Sequence, residues 1–116
     1  MEDLLIETLK SAFGYPVRLQ GSFLPDEKYP DHFFTFWNDS ADGAGFFNND
    51  ESGIVWAYSL NFYSVDPAKV SVVPMQAKAA LKAAGFIVGG AGYSVASDEI
   101  THTGRGLPIL YRQDIE

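Results

Sequence analysis

The segment IVWAYSLNFYSV, residues 54–65, decides the fold class of this chain. Large hydrophobic side chains occupy every second position in its first part, whereas Ser59 and Asn61 fall between them. The residues on the hydrophobic face are Ile54, Trp56, Tyr58, Leu60 and Phe62. Because successive side chains of a strand point to opposite sides of a sheet, this alternation predicts a β-strand with one face in a hydrophobic core.

Four further segments favour strands. Residues 15–23 alternate hydrophobic and polar side chains, and residues 32–39 are rich in aromatic residues, which suit a pleated sheet. Residues 86–101 favour a strand region, although their glycines weaken its strand propensity. In residues 104–115 hydrophobic and polar side chains alternate again. Because proline cannot donate a hydrogen bond to a neighbouring strand, Pro108 predicts that this last strand lies at a sheet edge or carries a bulge.

Two segments have the hydrophobic spacing of a helix. Residues 3–13 place leucines on one face and acidic residues near the beginning, as the helix dipole prefers. Residues 72–84 are rich in alanine, and Asp66 precedes a proline, as at a helix start. Because proline inside a helix removes a hydrogen bond, Pro74 predicts a separate turn at 67–70 before this second helix.

The predicted element order is therefore α-β-β-β-α-β-β within one domain over residues 1–116. Strands occur in runs between the helices, and no βαβα alternation is sustained. This order predicts an α+β fold with a mostly antiparallel sheet and two helices packed on one face.

Composition limits the classes of function. The chain has no cysteine, which excludes disulfides, thiolate metal sites and a cysteine nucleophile. Its net charge of −7, with only eight Lys and Arg, argues against sequence-specific binding of nucleic acid. No stretch approaches the roughly 18 consecutive apolar residues of a membrane span, so we expect a soluble protein without a membrane partner.

Residues 38–53, NDSADGAGFFNNDESG, predict an acidic connection between two paired strands. A calcium loop of the EF-hand type needs glycine at its sixth position and glutamate at its twelfth. With Gly43 sixth, the twelfth residue is Asn49, and the flanking segments are strands rather than helices. Oxygen-bearing side chains would still fill positions one, three and five, as Asn38, Ser40 and Asp42. The failed positions favour a solvated loop, and no metal site is predicted.

Catalytic patterns are weak throughout the sequence. Asp98 and Glu99 lie close to His102, so an acid–base site of a hydrolase is one hypothesis, but a polar strand end is the favoured interpretation. The glycine-rich residues 89–92 and 104–106 lack the spacing of phosphate-binding loops. We therefore predict no catalytic residue, no cofactor and no enzymatic activity.

The residues predicted to contact a partner lie mainly in the acidic connection. Phe46 and Phe47 sit among glycine and polar residues, and either one ring faces outward or both tuck beneath the loop. Arg105, between two glycines, is expected to be exposed and mobile. The complete predicted set is Asp39, Asp42, Phe46, Phe47, Asp50, Glu51 and Arg105.

The order of several segments, taken together, resembles a known family. These segments are YPVRL (15–19), KYPDHFFTFWNDS (28–40), YSLNFYSVD (58–66), ALKAAGF (80–86) and ITHTGRGLPILYR (100–112). They are similar to the tail terminator and tail-completion (tail-to-head joining) proteins of long-tailed bacteriophages and their prophage remnants. The resemblance covers nearly the whole chain, and it rests on order and spacing without a catalytic motif.

This resemblance implies a non-enzymatic part of the virion, assembled in the host cytoplasm. Members tend to form a ring, commonly hexameric, at the head-proximal end of the tail tube. The ring stops tube growth and meets the head connector, while DNA passes through it without sequence-specific binding. The acidic charge suits such a passage. Residues 38–53 and a sheet edge around 104–112 are the expected contact regions between subunits.

Three other interpretations stay open at this point. The nearest is a head-completion adaptor or stopper protein, which subunit stoichiometry and position in a virion would separate from a terminator. A small ligand-binding or regulatory α+β domain would need a preformed pocket. A hydrolase would need Asp98, Glu99 and His102 to act together.

Overall fold

Two helices and six strands make up the part of the chain that the computed structural model describes. The described residues are 2–20, 28–44, 52–97 and 101–114. In chain order the elements are α1 (Glu2–Phe13), β1 (Val17–Leu19), β2 (His32–Ala44), β3 (Gly53–Ser64), α2 (Pro67–Ala83), β4 (Ile87–Val88), β5 (Tyr93–Val95) and β6 (Thr103–Asp114). The predicted α+β class is confirmed. Neither described helix has both the length and the hydropathy needed to cross a bilayer.

The strands form one sheet with β3 at its centre. Its order is β1-β2-β3-β6-β4, and β5 pairs with β6 beside β4. The long strands β2, β3 and β6 pair antiparallel, whereas β1 runs parallel to β2 and aligns Val17 with Phe34. The strand predicted at residues 54–65 is therefore confirmed as β3, and the sheet is mostly antiparallel as predicted.

The main hydrophobic core of the described residues lies between the helices and one face of this sheet. Phe34 and Phe62 meet across β2 and β3 with ring centroids 4.9 Å apart. Leu5 and Leu9 of α1 and Leu81 of α2 are fully buried against the same cluster. The other buried sheet residues of this cluster include Phe36, Tyr58, Leu60, Leu107 and Ile109. Both helices therefore pack on one face, and the opposite face carries no helix among the described residues.

The first helix forms where the sequence predicts it. Its early acidic residues and the late Lys10 complement the helix dipole, and Leu5 and Leu9 lie one turn apart on its buried face. Gly14 follows the helix with a φ of 73° and donates its N–H to the carbonyl of Lys10 over 2.8 Å. A positive φ at this position is favourable for glycine, so Gly14 ends α1.

The second helix begins earlier than the sequence predicts. Asp66 caps it by accepting the N–H of Ala68 over 3.0 Å, and the helix runs unbroken through Pro74. The expected turn at 67–70 before a helix at 72–84 is wrong. Pro74 removes one helical hydrogen bond, but its ring is buried on the sheet beside Phe62, and this burial offsets part of the loss.

The strand β2 is longer than predicted, and much of the expected loop belongs to it. Residues 38–44 pair with β3, with a register shift between Asn38 and Ser40 that marks a β-bulge. The long connection expected at 38–53 is therefore wrong for these residues. Cross-strand pairing with β3 overrides the weak strand propensity of their glycine, aspartate and asparagine.

The strand β6 is not at the edge that Pro108 suggests. β3 covers one side of it, and the short strands β4 and β5 replace the single strand region predicted at 86–101 on the other side. Among the described pairings on that second side, β5 reaches Gly106 and β4 begins at Ile109. Pro108 lies in the interval between them, so no described strand residue is paired with it there.

Tyr58 links the sheet to the beginning of α1. Its hydroxyl donates to Glu2 Oε2 over 3.4 Å, and its side chain is buried. Burial, with the nearby carboxylate of Glu2 and this hydrogen bond, raises the pKa of Tyr58 from 10.0 to about 12. The folded state therefore holds the phenol proton more tightly than the unfolded state does.

We expect this proton to make stability fall at alkaline pH. The stabilisation that the protonated Tyr58 contributes is complete below the unfolded pKa near 10 and is lost as the pH rises toward 12. Relative to Tyr58→Phe, the unmodified chain should lose on the order of 1 to 2 kcal/mol of unfolding free energy across this window. Urea unfolding at several pH values measures the difference. Tyr93→Phe, at an exposed position, should follow the unmodified chain, and parallel curves for Tyr58→Phe would contradict the assignment.

Candidate interaction surface

The face of the sheet opposite the helices is the candidate functional site. Register partners in a sheet share a face, so the alternation of β2, β3 and β6 determines which side chains point there. On β2 and β3 these include Trp37, Ser59 and Asn61, and on β6 they include Pro108 and Leu110. We call this surface the open sheet face.

A shallow groove of about 520 Å³ crosses the open sheet face. Its lining residues are Gln20, Trp37, Ser59, Asn61, Tyr93 and Val95. Asn61 Nδ2 donates to Gln20 Oε1 over 3.1 Å, which joins two polar walls of the groove. The described lining residues include no acidic or basic side chain, so this part of the groove suits a neutral apolar or hydrogen-bonding surface rather than an ion.

Two glycines of β6 let aromatic side chains lie across the open sheet face. A Cβ on Gly106 would come within 2.7 Å of Tyr93 Cε2 and 2.9 Å of Asn61 Oδ1. A Cβ on Gly104 would come within 2.7 Å of both Tyr63 and Val95. Glycine at these positions therefore permits the close approach of β5 and its tyrosine over β6.

Exposed hydrophobic side chains continue from the groove toward β4. Trp37 is 53% exposed and Tyr93 is 45% exposed. Ile87 and Leu110 are register partners on β4 and β6, and they are 59% and 39% exposed. Exposed hydrophobic residues gathered on one surface mark an interaction site more often than scattered ones do. The open sheet face thus has the character of a docking surface.

Acidic side chains border this surface along β2. Asp39 lies at the bulge, where its Oδ2 accepts a hydrogen bond from Ser59 Oγ over 2.7 Å. Asp42 is exposed on the same strand. These two members of the predicted contact set therefore lie on a strand beside the groove rather than in a loop. The remaining predicted residues of that connection, Phe46, Phe47, Asp50 and Glu51, lie outside the described residues.

Arg105 differs from the prediction. It is half-buried on the helix side of the sheet, where its Nε donates to the carbonyl of Ala91 over 3.0 Å and its Nη2 to that of Gly92 over 3.1 Å. The expected exposed and mobile arginine is therefore wrong, because two backbone carbonyls hold its guanidinium. Arg105 fixes the segment that leads into β5 and so positions Tyr93 over the groove.

His102 is held inside the fold. It is 8% exposed, and its Nε2 donates to the carbonyl of Pro30 over 2.8 Å, while Nδ1 lies 3.0 Å from the Thr101 hydroxyl. These contacts engage both ring nitrogens. Asp98 and Glu99, its partners in the hydrolase hypothesis, lie outside the described residues. Within the described ranges, no three His, Asp or Glu side chains are grouped as a metal site would require.

Part of the open sheet face could be anticipated from sequence and part could not. The alternation in residues 54–65 places Ser59 and Asn61 together on the face away from the core, as the groove confirms. Trp37 lacks this signal, because Phe33 and Thr35 lie on the same face of β2 and are buried. Tyr93 has no such signal, because glycine-rich sequence surrounds it and its position depends on pairing with Gly106.

Comparison with known proteins gives no assignment. No protein-family model matches the chain, and no curated protein is significantly similar to it.

Proposed function

We propose that this chain is a structural assembly protein of a long-tailed bacteriophage or prophage, which caps the tail tube and joins it to the head connector. It acts as a ring, in which each subunit contacts the next and the outer surfaces meet the tube and the head. The ring resides in the virion at the head-proximal end of the tail, after assembly in the host cytoplasm. The role is one of binding and positioning, without catalysis.

The open sheet face is the observation that carries this proposal. It places Trp37, Tyr93, Ile87 and Leu110 in solvent on one side of a sheet whose other side is fully used by the core. A protein that must bind its own copies and two partners needs such surface, and exposed hydrophobic side chains stabilise a contact when it buries them.

The segments that carry the resemblance also build this surface. THTGRGLPILYR (101–112) covers most of β6, which supplies Gly106 and Leu110 to the open sheet face. KYPDHFFTFWNDS (28–40) covers residues 32–40 of β2, and this part of the strand supplies Trp37. The net charge of −7 supports a passage for DNA, because like charge discourages adhesion of the phosphate backbone.

A tube-length assay tests the proposed function. Tail-tube protein of the same phage is polymerised with and without the purified chain, and tube lengths are measured by electron microscopy. We expect tubes to stop growing when the chain is present and to carry a ring at one end. Unchanged tube lengths, with the chain unbound in a sedimentation assay, would contradict the proposal. Rings that bind the head connector but leave tube growth unaffected would favour the head-completion adaptor instead.

The groove favours one second candidate, a small non-enzymatic ligand-binding or regulatory domain. Its aromatic and amide lining is of the kind that binds neutral molecules. This candidate predicts a chain that stays monomeric at high concentration and whose Trp37 fluorescence changes when a ligand binds. Light scattering and fluorescence titration of the purified chain therefore separate it from the assembly protein.

A further inference from the structure

The helix α2 has a second hydrophobic stripe that faces solvent. Its buried side carries Val70, Val73, Ala77 and Leu81, at the three- and four-residue spacing of one helical face. A second set with the same spacing is exposed on the opposite side, namely Ala68, Val72, Met75, Ala79 and Ala83. We call this second set the outer stripe.

The outer stripe is unusual for a helix at the surface of a monomer. Val72 is 52% exposed and Met75 is 44% exposed, and neither is isolated from other hydrophobic residues. A helix that is hydrophobic on both sides is normally buried on both sides, whereas a surface helix shows charged residues opposite the core. The outer stripe therefore indicates a contact outside the chain.

Charge indicates what kind of surface this stripe meets. α2 carries three lysines and no acidic residue, which is the largest positive charge of any described element. β2 carries Asp39 and Asp42 and no Lys or Arg. Because the whole chain has a net charge of −7, copies repel one another except where opposite charges meet. By register, the open sheet face also carries Asp114, Arg18 and Arg112, and Arg112 pairs with Asp114. Three aspartates against two arginines leave its described residues with a net charge of −1, opposite in sign to the three lysines of α2.

We propose that the outer stripe of one copy packs on the open sheet face of the next copy. Both surfaces are hydrophobic, and they lie on opposite sides of the same chain, since α2 packs on the helix side of the sheet. A contact between two different surfaces is heterologous, so it repeats in one direction and gives a ring when the rotation closes. Each sheet is then covered on both faces.

This inference rests on the proposed function, which it deepens by naming the contact between ring subunits. The longest side chain of the outer stripe, Met75, is flexible enough to fill an irregular groove. The groove beside Trp37 and Tyr93, of about 520 Å³, offers that space on the neighbouring copy. The partner is thus a second copy of this chain, and the contact is helix on sheet.

Site-directed cross-linking tests the contact. Because the chain has no cysteine, each introduced thiol is the only reactive thiol present. Met75→Cys and Leu110→Cys introduce single thiols at two exposed positions, one on each proposed surface. The two variants are mixed in equal amounts and treated with a short bismaleimide. We expect at least a tenfold excess of the mixed dimer over either cross-linked homodimer. A chain with both substitutions should give a ladder that ends in a closed ring.

Ser11→Cys, on the exposed side of α1, is the matched control and should give little product with either partner. Circular dichroism of each variant verifies that the fold is retained. Any of three results would overturn the inference: a dominant Met75→Cys homodimer, equal product with the control, or no product up to about 1 mM protein. At that concentration contacts of roughly 4 kcal/mol are populated.

If cross-linked rings form but tube growth is unaffected, the inference stands and the proposed function falls. If tube growth stops while Met75→Cys cross-links only to itself, the proposed function stands and the inference about the subunit contact falls.

Discussion

Replacing Gly92 by Ala is expected to lower the free energy of unfolding by about 3 kcal/mol or more. Gly92 has a φ of 79°, a conformation that costs an L-residue roughly 1 to 2 kcal/mol. A Cβ there would also overlap the backbone carbonyl oxygen of Gly106 on β6. Because a backbone atom cannot move aside as a side chain does, β5 would shift away from β6, at an added cost of about 1 to 3 kcal/mol. Urea unfolding measures the loss.

Gly90→Ala is the matched control for this prediction. Gly90 has a similar φ of 72°, but a Cβ there would meet nothing within 4 Å. Its substitution should therefore cost only the conformational part, roughly 1 to 2 kcal/mol. Equal losses for the two variants would show that the close packing of β5 on β6 contributes nothing, and that the position of Tyr93 over the groove has another cause.

Replacing Leu110 by Lys is expected to weaken self-association at least 100-fold, which corresponds to about 2.7 kcal/mol. In the proposed contact the new ammonium group would be removed from water next to the lysines of α2, and both effects oppose binding. Leu110 is 39% exposed in the single chain, so the unfolding free energy should change by less than about 1 kcal/mol. Analytical ultracentrifugation over a concentration series measures the association.

This substitution also separates a specific contact from general charge repulsion. Leu110→Lys makes the net charge less negative, so association limited only by repulsion between acidic copies would become stronger. Ser11→Lys changes the net charge equally on a surface outside the proposed contact, and it should leave association unchanged or slightly stronger. Association of Leu110→Lys at or above the level of the Ser11→Lys variant would contradict the proposed contact.

The parts of the fold that sequence predicts well are those with a strong local pattern. The alternation in residues 54–65 predicts β3 and its buried face, and the periodic residues 3–13 predict α1 within one residue. The errors arise where pairing or burial overrides a local preference. Pro74 stays inside α2 because its ring is buried, and residues 38–44 extend β2 because β3 pairs with them.

The candidate interaction surface is predicted less completely, for a related reason. Asp39 and Asp42 border it, whereas the guanidinium of Arg105 is engaged with backbone carbonyls on the helix side of the sheet. Tyr93 reaches the groove only through the pairing of β5 with a glycine of β6 that lies thirteen residues further on. Such placements depend on contacts between distant residues, and local sequence patterns do not encode them. The role of Phe46 and Phe47 in binding, like the phage function itself, stays a prediction.

The central position of β3 determines the order in which the sheet can be completed during synthesis. Its pairing with β2 is local, since Ala44 faces Gly53, and this hairpin can form early. Its other neighbour is β6, so the second edge of β3 waits until residues 103–114 have left the ribosome. During that interval a long strand edge is open to pairing with other chains. The nascent protein is therefore most prone to aggregation after α2 has emerged and before β6 has.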